Sequence, residues 1–240
     1  MNRISGTRAA GEGTDDRSSS RSVGASPDPQ AARIGRARGW LAKCIIPLSA
    51  TGCYALFALA VHFGMLDSLD LAVRKAAHVG EVWGPVQIRA ARIVDDLAPP
   101  QLAVALFLFA AVIGIVRRSL RPLFVVALVG LPTAMVTLGT KWVMAHWNPG
   151  APPLDHGSFP SGHTVSVIVV FGLFVAILRP ATRWGWVLPA VMGCLMGTAL
   201  VLAWVHPATD VIGGGLLALA ALTGAQAAQL GRWACAHQRA

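Results

Sequence analysis

Six apolar stretches, separated by polar or basic connections, leave this chain few ways to fold. They run Leu41–Leu66, Gln101–Val116, Pro122–Met144, Thr164–Leu178, Gly185–Val205 and Ala208–Leu230. A helix needs about 20 apolar residues to span a bilayer core. The second and fourth stretches reach that length only with flanking residues. The expected fold is therefore all-α, a six-transmembrane-helix bundle. Composition agrees: 13% of residues are charged, against about 25% in soluble domains. The net charge of +9 does not indicate nucleic acid, because the basic residues cap apolar runs instead of forming a stripe. Cys44, Cys53, Cys194 and Cys235 form no C-x-x-C pair and lie in or near apolar runs. They read as structural thiols, with neither a disulfide framework nor a zinc site.

Residues 1–38 are rich in Ser, Gly, Ala and Arg without hydrophobic periodicity. They read as a disordered basic cytoplasmic tail. The first apolar run starts too far from Met1 for a signal peptide and is long enough to stay as an anchor. Residues 39–232 form the membrane domain, and 233–240 a short cytoplasmic tail.

Arginines precede the first stretch and Lys43 lies at its start; Arg117, Arg118 and Arg121 lie between the second and third. Arg179 and Arg183 lie between the fourth and fifth, and Arg232 and Arg239 follow the sixth. With six crossings all four basic segments fall on one side, which the positive-inside rule makes cytoplasmic. The other face of this inner (plasma) membrane protein then holds residues 67–100, 145–163 and the turn at His206. Segment 67–100 mixes Asp67, Asp70, Arg74, Lys75, Glu81, Arg89, Arg92, Asp95 and Asp96 with apolar residues. It predicts one or two extracytoplasmic amphipathic helices between helices 1 and 2, broken near Gly80, Gly84 and Pro85. No internal repeat supports an inverted-repeat transporter.

Two histidines stand at helix mouths on that outer face. In Pro160-Ser161-Gly162-His163, Ser161 suits an N-cap and Gly162 lets a ligand approach the backbone. Helix N-termini hold phosphate well, and His163 in the first turn can donate a proton. A serine cap with a solvated histidine accounts for the same residues. In His206-Pro207-Ala208-Thr209-Asp210, Pro207 suits the first helical position, with His206 at the cap. Asp210 lies one turn on, where a carboxylate orients an imidazole and frees its other nitrogen as nucleophile. A polar helix end with Asp near the positive dipole is the plainer account, yet aspartate at a membrane helix end is costly. Gly213, Gly214 and Gly215 read as a close-approach surface. Lys141 either snorkels to the interface or supplies charge to a phosphate.

Lys141, Pro160–His163 and His206–Asp210 resemble the type 2 phosphatidic acid phosphatase (PAP2) superfamily of six-helix membrane lipid phosphatases. Its motifs read K-x6-R-P, P-S-G-H and S-R-x5-H-x3-D, and their order and spacing match over residues 41–230. The resemblance implies a two-step hydrolysis without metal or other cofactor. His206 attacks phosphorus, Asp210 orients it, and His163 protonates the leaving group and then activates water. Lys141, Ser161 and the Gly162 amide hold phosphoryl oxygens, and Asn148, standing at a family arginine position, can add one neutral N–H bond. The implied partner is a membrane lipid: phosphatidic acid, phosphatidylglycerol phosphate or an isoprenoid pyrophosphate such as undecaprenyl pyrophosphate.

Both family arginines are absent: Asn148 and Leu200 stand in their places. Each lost charge-assisted bond costs about 1.5–3 kcal/mol, so two uncompensated losses slow the reaction by roughly 10²–10⁴-fold. His146, His156, Arg74, Lys75, Arg89 and Arg92 are candidate replacement cations. The alternative is a weak or inactive relative that binds a lipid head group or a partner. Retention of both histidines and the orienting aspartate favours the active reading.

Overall fold

Proline and glycine set several of the helix boundaries. Proline lacks an N–H that a first turn would leave unused, and its φ is already helical. Pro29, Pro85 and Pro99 open helices, Gly84 and Pro207 occupy N-cap positions, and Gly64 turns the chain with φ +66°. The computed structural model describes residues 29–77, 83–146, 158–178 and 183–235. Among these the regular structure is helical: α1 (Pro29–His62), α2 (Asp67–Ala77), α3 (Pro85–Asp96), α4 (Pro99–Val116), α5 (Arg121–His146), α6 (Gly162–Leu178), α7 (Val187–Leu202), α8 (Ala208–Ala227) and α9 (Leu230–Cys235). A 3₁₀ turn, Arg183–Trp186, leads into α7, where the sequence predicts helix from Gly185.

The chain divides into two units, Met1–Arg38 and Gly39–Ala240; the packing below is that of the second. The sequence predicts an unstructured tail through residue 38, whereas α1 already begins at Pro29. Ala31, Ala32, Arg33, Arg36, Ala37 and Arg38 are strong helix formers. Extending an existing helix avoids the cost of nucleating one.

Among the described residues, four helical segments are long and apolar enough to cross a membrane: Lys43–His62, Pro99–Val116, Arg121–Ala145 and Ala208–Ala227. Helices α6 and α7 are equally apolar but have 17 and 16 residues. Helix α6 packs against α4, α5, α7 and α8. It buries Val165, Val167, Val169, Leu173 and Ile177 around its circumference, as an all-apolar central helix must. On α1, α4 and α5, by contrast, Leu48, Leu56, Phe107, Ile115, Leu128 and Leu138 are exposed. So much bare apolar surface marks a face made for lipid or a partner.

The bundle has two chemically different ends. At one, Arg117 donates to the Ile177 carbonyl at 3.0 Å, and Arg121 stacks on Trp233, 5.4 Å from its centroid. At the other lie α2, α3 and the N-termini of α6 and α8. Segment 67–100 does form two amphipathic helices. Helix α3 buries Ala90 and Val94 against α7, leaving Arg89, Arg92, Asp95 and Asp96 exposed. Helix α2 packs against α7 and α8.

Candidate active site

The first histidine motif begins where α7 stops. Leu200 carbonyl accepts the Val205 N–H at 3.0 Å, and Val201 carbonyl accepts the Trp204 N–H at 3.2 Å. This is a Schellman closure, whose left-handed position usually holds glycine. Here it holds Trp204, with φ 57°. The chain turns through His206 and enters α8, with Pro207 as N-cap and Ala208 as first helical residue. The sequence places Pro207 one position later in the helix. Proline's extended ψ of 161° puts it outside the first turn. Either register leaves His206 and Asp210 one turn apart. His206 Nδ1 lies 2.8 Å from Asp210 Oδ2, with the side chains 9% and 1% exposed. A carboxylate only accepts, so Nδ1–H donates and Nε2 keeps its lone pair.

The second motif is bound to the first through the backbone. Ser161 N–H donates to the Asp210 carbonyl at 3.0 Å. Ser161 is buried, and its Oγ accepts the Thr164 N–H at 3.4 Å, capping α6 as the sequence predicts. Gly162 and His163 follow in the first turn, where amides have no intrahelical partner. This close approach requires glycine on α8. A Cβ on Gly213 would meet the Phe159 ring at 2.2 Å, and one on Gly214 the Ser161 carbonyl at 2.9 Å. Gly215 meets nothing within 4 Å, so two of the three glycines carry the contact.

The geometry brings the sequence-predicted residues together. The His163 and His206 rings are 6.3 Å apart at 65° between planes. From α5, Lys141 Nζ donates to the Ser158 carbonyl at 2.5 Å, and Ser158 Oγ donates to Asp210 Oδ2 at 2.5 Å. Lys141, His206 and Asp95 are all close enough to act electrostatically on His163. A run of polar contacts therefore links Lys141, Ser158, Asp210 and His206. Asn148, His146's side chain and His156 lie outside the described residues.

Leu200 has a different role from the arginine expected there. It is fully buried with Ala90, Val94, Leu102, Val167 and Met196, in the apolar layer that joins α3, α4, α6 and α7. Only its carbonyl turns toward the motif, through the bond to Val205. Of the proposed replacement cations, Arg74 lies over the Trp204 ring, 4.7 Å from its centroid. Lys75, Arg89 and Arg92 are exposed.

Two contacts escape sequence reasoning. Ser158 precedes the recognisable motif by two residues, and its bond to Asp210 spans 52 positions. Asp70 of α2 accepts both the Thr209 N–H at 2.9 Å and the Thr209 hydroxyl at 2.6 Å. The N-terminus of α8 is thus occupied by an internal carboxylate, whereas that of α6 carries His163 in its first turn.

These features can be compared with known proteins. No curated protein matches the chain. The fold is similar to the crystal structure of a transmembrane PAP2 type phosphatidylglycerolphosphate phosphatase from Bacillus subtilis. The TM-score is 0.60 at 22% identity, covering 75% of this chain and 94% of that one. The PAP2 superfamily model matches residues 98–233, which include Lys141 and both histidine motifs. That match spans more than half of the 240 residues, and the chain accordingly belongs to the PAP2 superfamily.

Proposed function

We propose that the protein is a membrane lipid phosphate or pyrophosphate phosphohydrolase that works through a phosphohistidine on His206. The carrying observation is the approach of two imidazoles to 6.3 Å with Asp210 behind one of them. Near-attack geometry needs about 3–3.5 Å between reacting atoms, and a proton donor needs about 2.6–3.2 Å. Both rings can therefore reach one phosphoryl group. In the first step Nε2 of His206 forms the N–P bond while the P–O bond to the lipid breaks. His163 gives its proton to the departing oxygen. In the second step His163 takes a proton from water, whose oxygen displaces His206 and releases phosphate. The positive charge arising on the His206 ring is stabilised by Asp210, itself held by Ser158. The α6 amides of Gly162 and His163, with Ser161 and Lys141, hold the phosphoryl oxygens; Asn148 is proposed to add a neutral bond.

A lipid substrate is favoured by an apolar groove of about 600 Å³ running from Thr164 and Ala208 between Ile168, Gly197, Val201 and Val211. It suits a hydrocarbon chain whose phosphate sits at the histidines. We read α1, α4, α5, α6, α7 and α8 as the six crossings, with both termini cytoplasmic. The arginine-bearing end is then cytoplasmic and the histidine end extracytoplasmic. Buried Leu200 favours a second reading, a head-group binder without turnover, because that position offers phosphate no charge.

Purified protein in detergent should release phosphate from at least one of phosphatidic acid, phosphatidylglycerol phosphate and an isoprenoid pyrophosphate. His206→Ala should abolish that release and any acid-labile phosphoprotein. Equal turnover by wild type and His206→Ala would exclude the nucleophile; head-group binding with no turnover by wild type would select the second reading.

A further inference from the structure

Helix α2 meets the nucleophile's turn at two points. Asp70 receives the backbone N–H and hydroxyl of Thr209, three residues after His206. Arg74, one helical turn along the same face of α2, stacks on Trp204, two residues before His206. The ring of Trp83 meets Trp204 edge-on at 6.3 Å. Trp204 is a bulky residue in left-handed backbone geometry, a conformation that persists only where its surroundings hold it.

We propose that Asp70 is a positioning residue for His206, with Arg74 as the second jaw of the same clamp; this rests on the phosphohydrolase reading above. An aspartate near a phosphate site would ordinarily repel substrate. Asp70 is instead spent on the first turn of α8, where a carboxylate is favourable. By closing that helix end it leaves the first turn of α6 as the phosphate cradle. It also fixes where α8 starts, and with that the Asp210 carboxylate that aims His206. Neither jaw touches His206, so the expected effect is on the aim of the nucleophile and not on substrate affinity.

The test uses full-length protein in detergent, with Asp70→Ala, Asp70→Asn, Thr209→Val and, as a control on α2, Ser68→Ala at an exposed position. Asp70→Ala should lower kcat by about 10–100-fold with KM nearly unchanged, as displacement of a reacting group by about 1 Å does. Asp70→Asn, which keeps an acceptor oxygen, should recover part of the loss, and Ser68→Ala should match wild type. A kcat for Asp70→Ala within about twofold of wild type would overturn the proposal. So would a loss confined to KM. The imidazole resonance of His206, assigned by its loss in His206→Ala, provides a reading that needs no turnover. It should shift in Asp70→Ala and Thr209→Val and stay in place in Ser68→Ala. If wild type proves inactive, the phosphohydrolase reading fails by itself, and an unmoved His206 resonance in Asp70→Ala then overturns the clamp as well.

Discussion

Asp210 Oδ2 takes hydrogen bonds from both His206 and Ser158, so one oxygen sets the tautomer of the proposed nucleophile and ties it to the other motif. Asp210→Asn keeps the volume but removes the charge that stabilises the imidazolium. It should cut kcat by about 10²–10⁴-fold, on the scale of the same change in a serine-protease triad, with folding retained by circular dichroism. Leu200 poses the opposite problem. Restoring the family residue by Leu200→Arg would place an unpaired guanidinium in an apolar layer, at a cost of about 3–5 kcal/mol. The expected outcome is a lower melting temperature in detergent and no gain in kcat. The sequence made the His206–Asp210 pair legible because one helical turn is a local spacing. It also showed that an arginine was missing. It could not show that the vacancy is filled by core packing with Ala90 and Val94, because that partner helix lies more than a hundred residues away. Asp70 was hidden for the same reason: among the charges of an amphipathic helix, a capping carboxylate resembles a solvated one.

Between elements, the joint of α6 with α8 is the most constrained. The Phe159 ring fills the notch over Gly213 and also stacks on Tyr54 of α1, 6.1 Å between centroids. Gly213→Ala must displace that ring and with it Ser158, Ser161 and His163. It should lower both melting temperature and turnover, with a stability loss of about 1–3 kcal/mol, as overpacking gives. Gly215→Ala, with open space around it, should change neither. Helix positions followed from apolar runs and proline boundaries, and the role of the glycines as a contact surface was readable from composition alone. The division of labour among three consecutive glycines was not, since it depends on which face of α8 meets Phe159. The early start of α1 was missed because an arginine-rich, alanine-rich segment has the composition of a tail and the propensity of a helix.

For the whole molecule, the placement of Arg117 and Arg121 at one end and both motif histidines at the other leads to an expected topology. In a cysteine-free background, Ser68→Cys on α2 should react with a membrane-impermeant maleimide on intact cells, whereas Arg239→Cys should react only after permeabilisation. The reverse pattern would invert the proposed orientation. The bond from Ser161 N–H to the Asp210 carbonyl has a broader consequence. It joins the His163 motif directly to the His206 motif, so the spacing of the two imidazoles is set within one joint and not by how the outer helices stand in the bilayer. Lipids of different chain length can tilt α1, α4 and α5 while the reacting groups keep their separation. Turnover in thin and thick bilayers should then differ through substrate delivery, seen in KM, with kcat nearly constant.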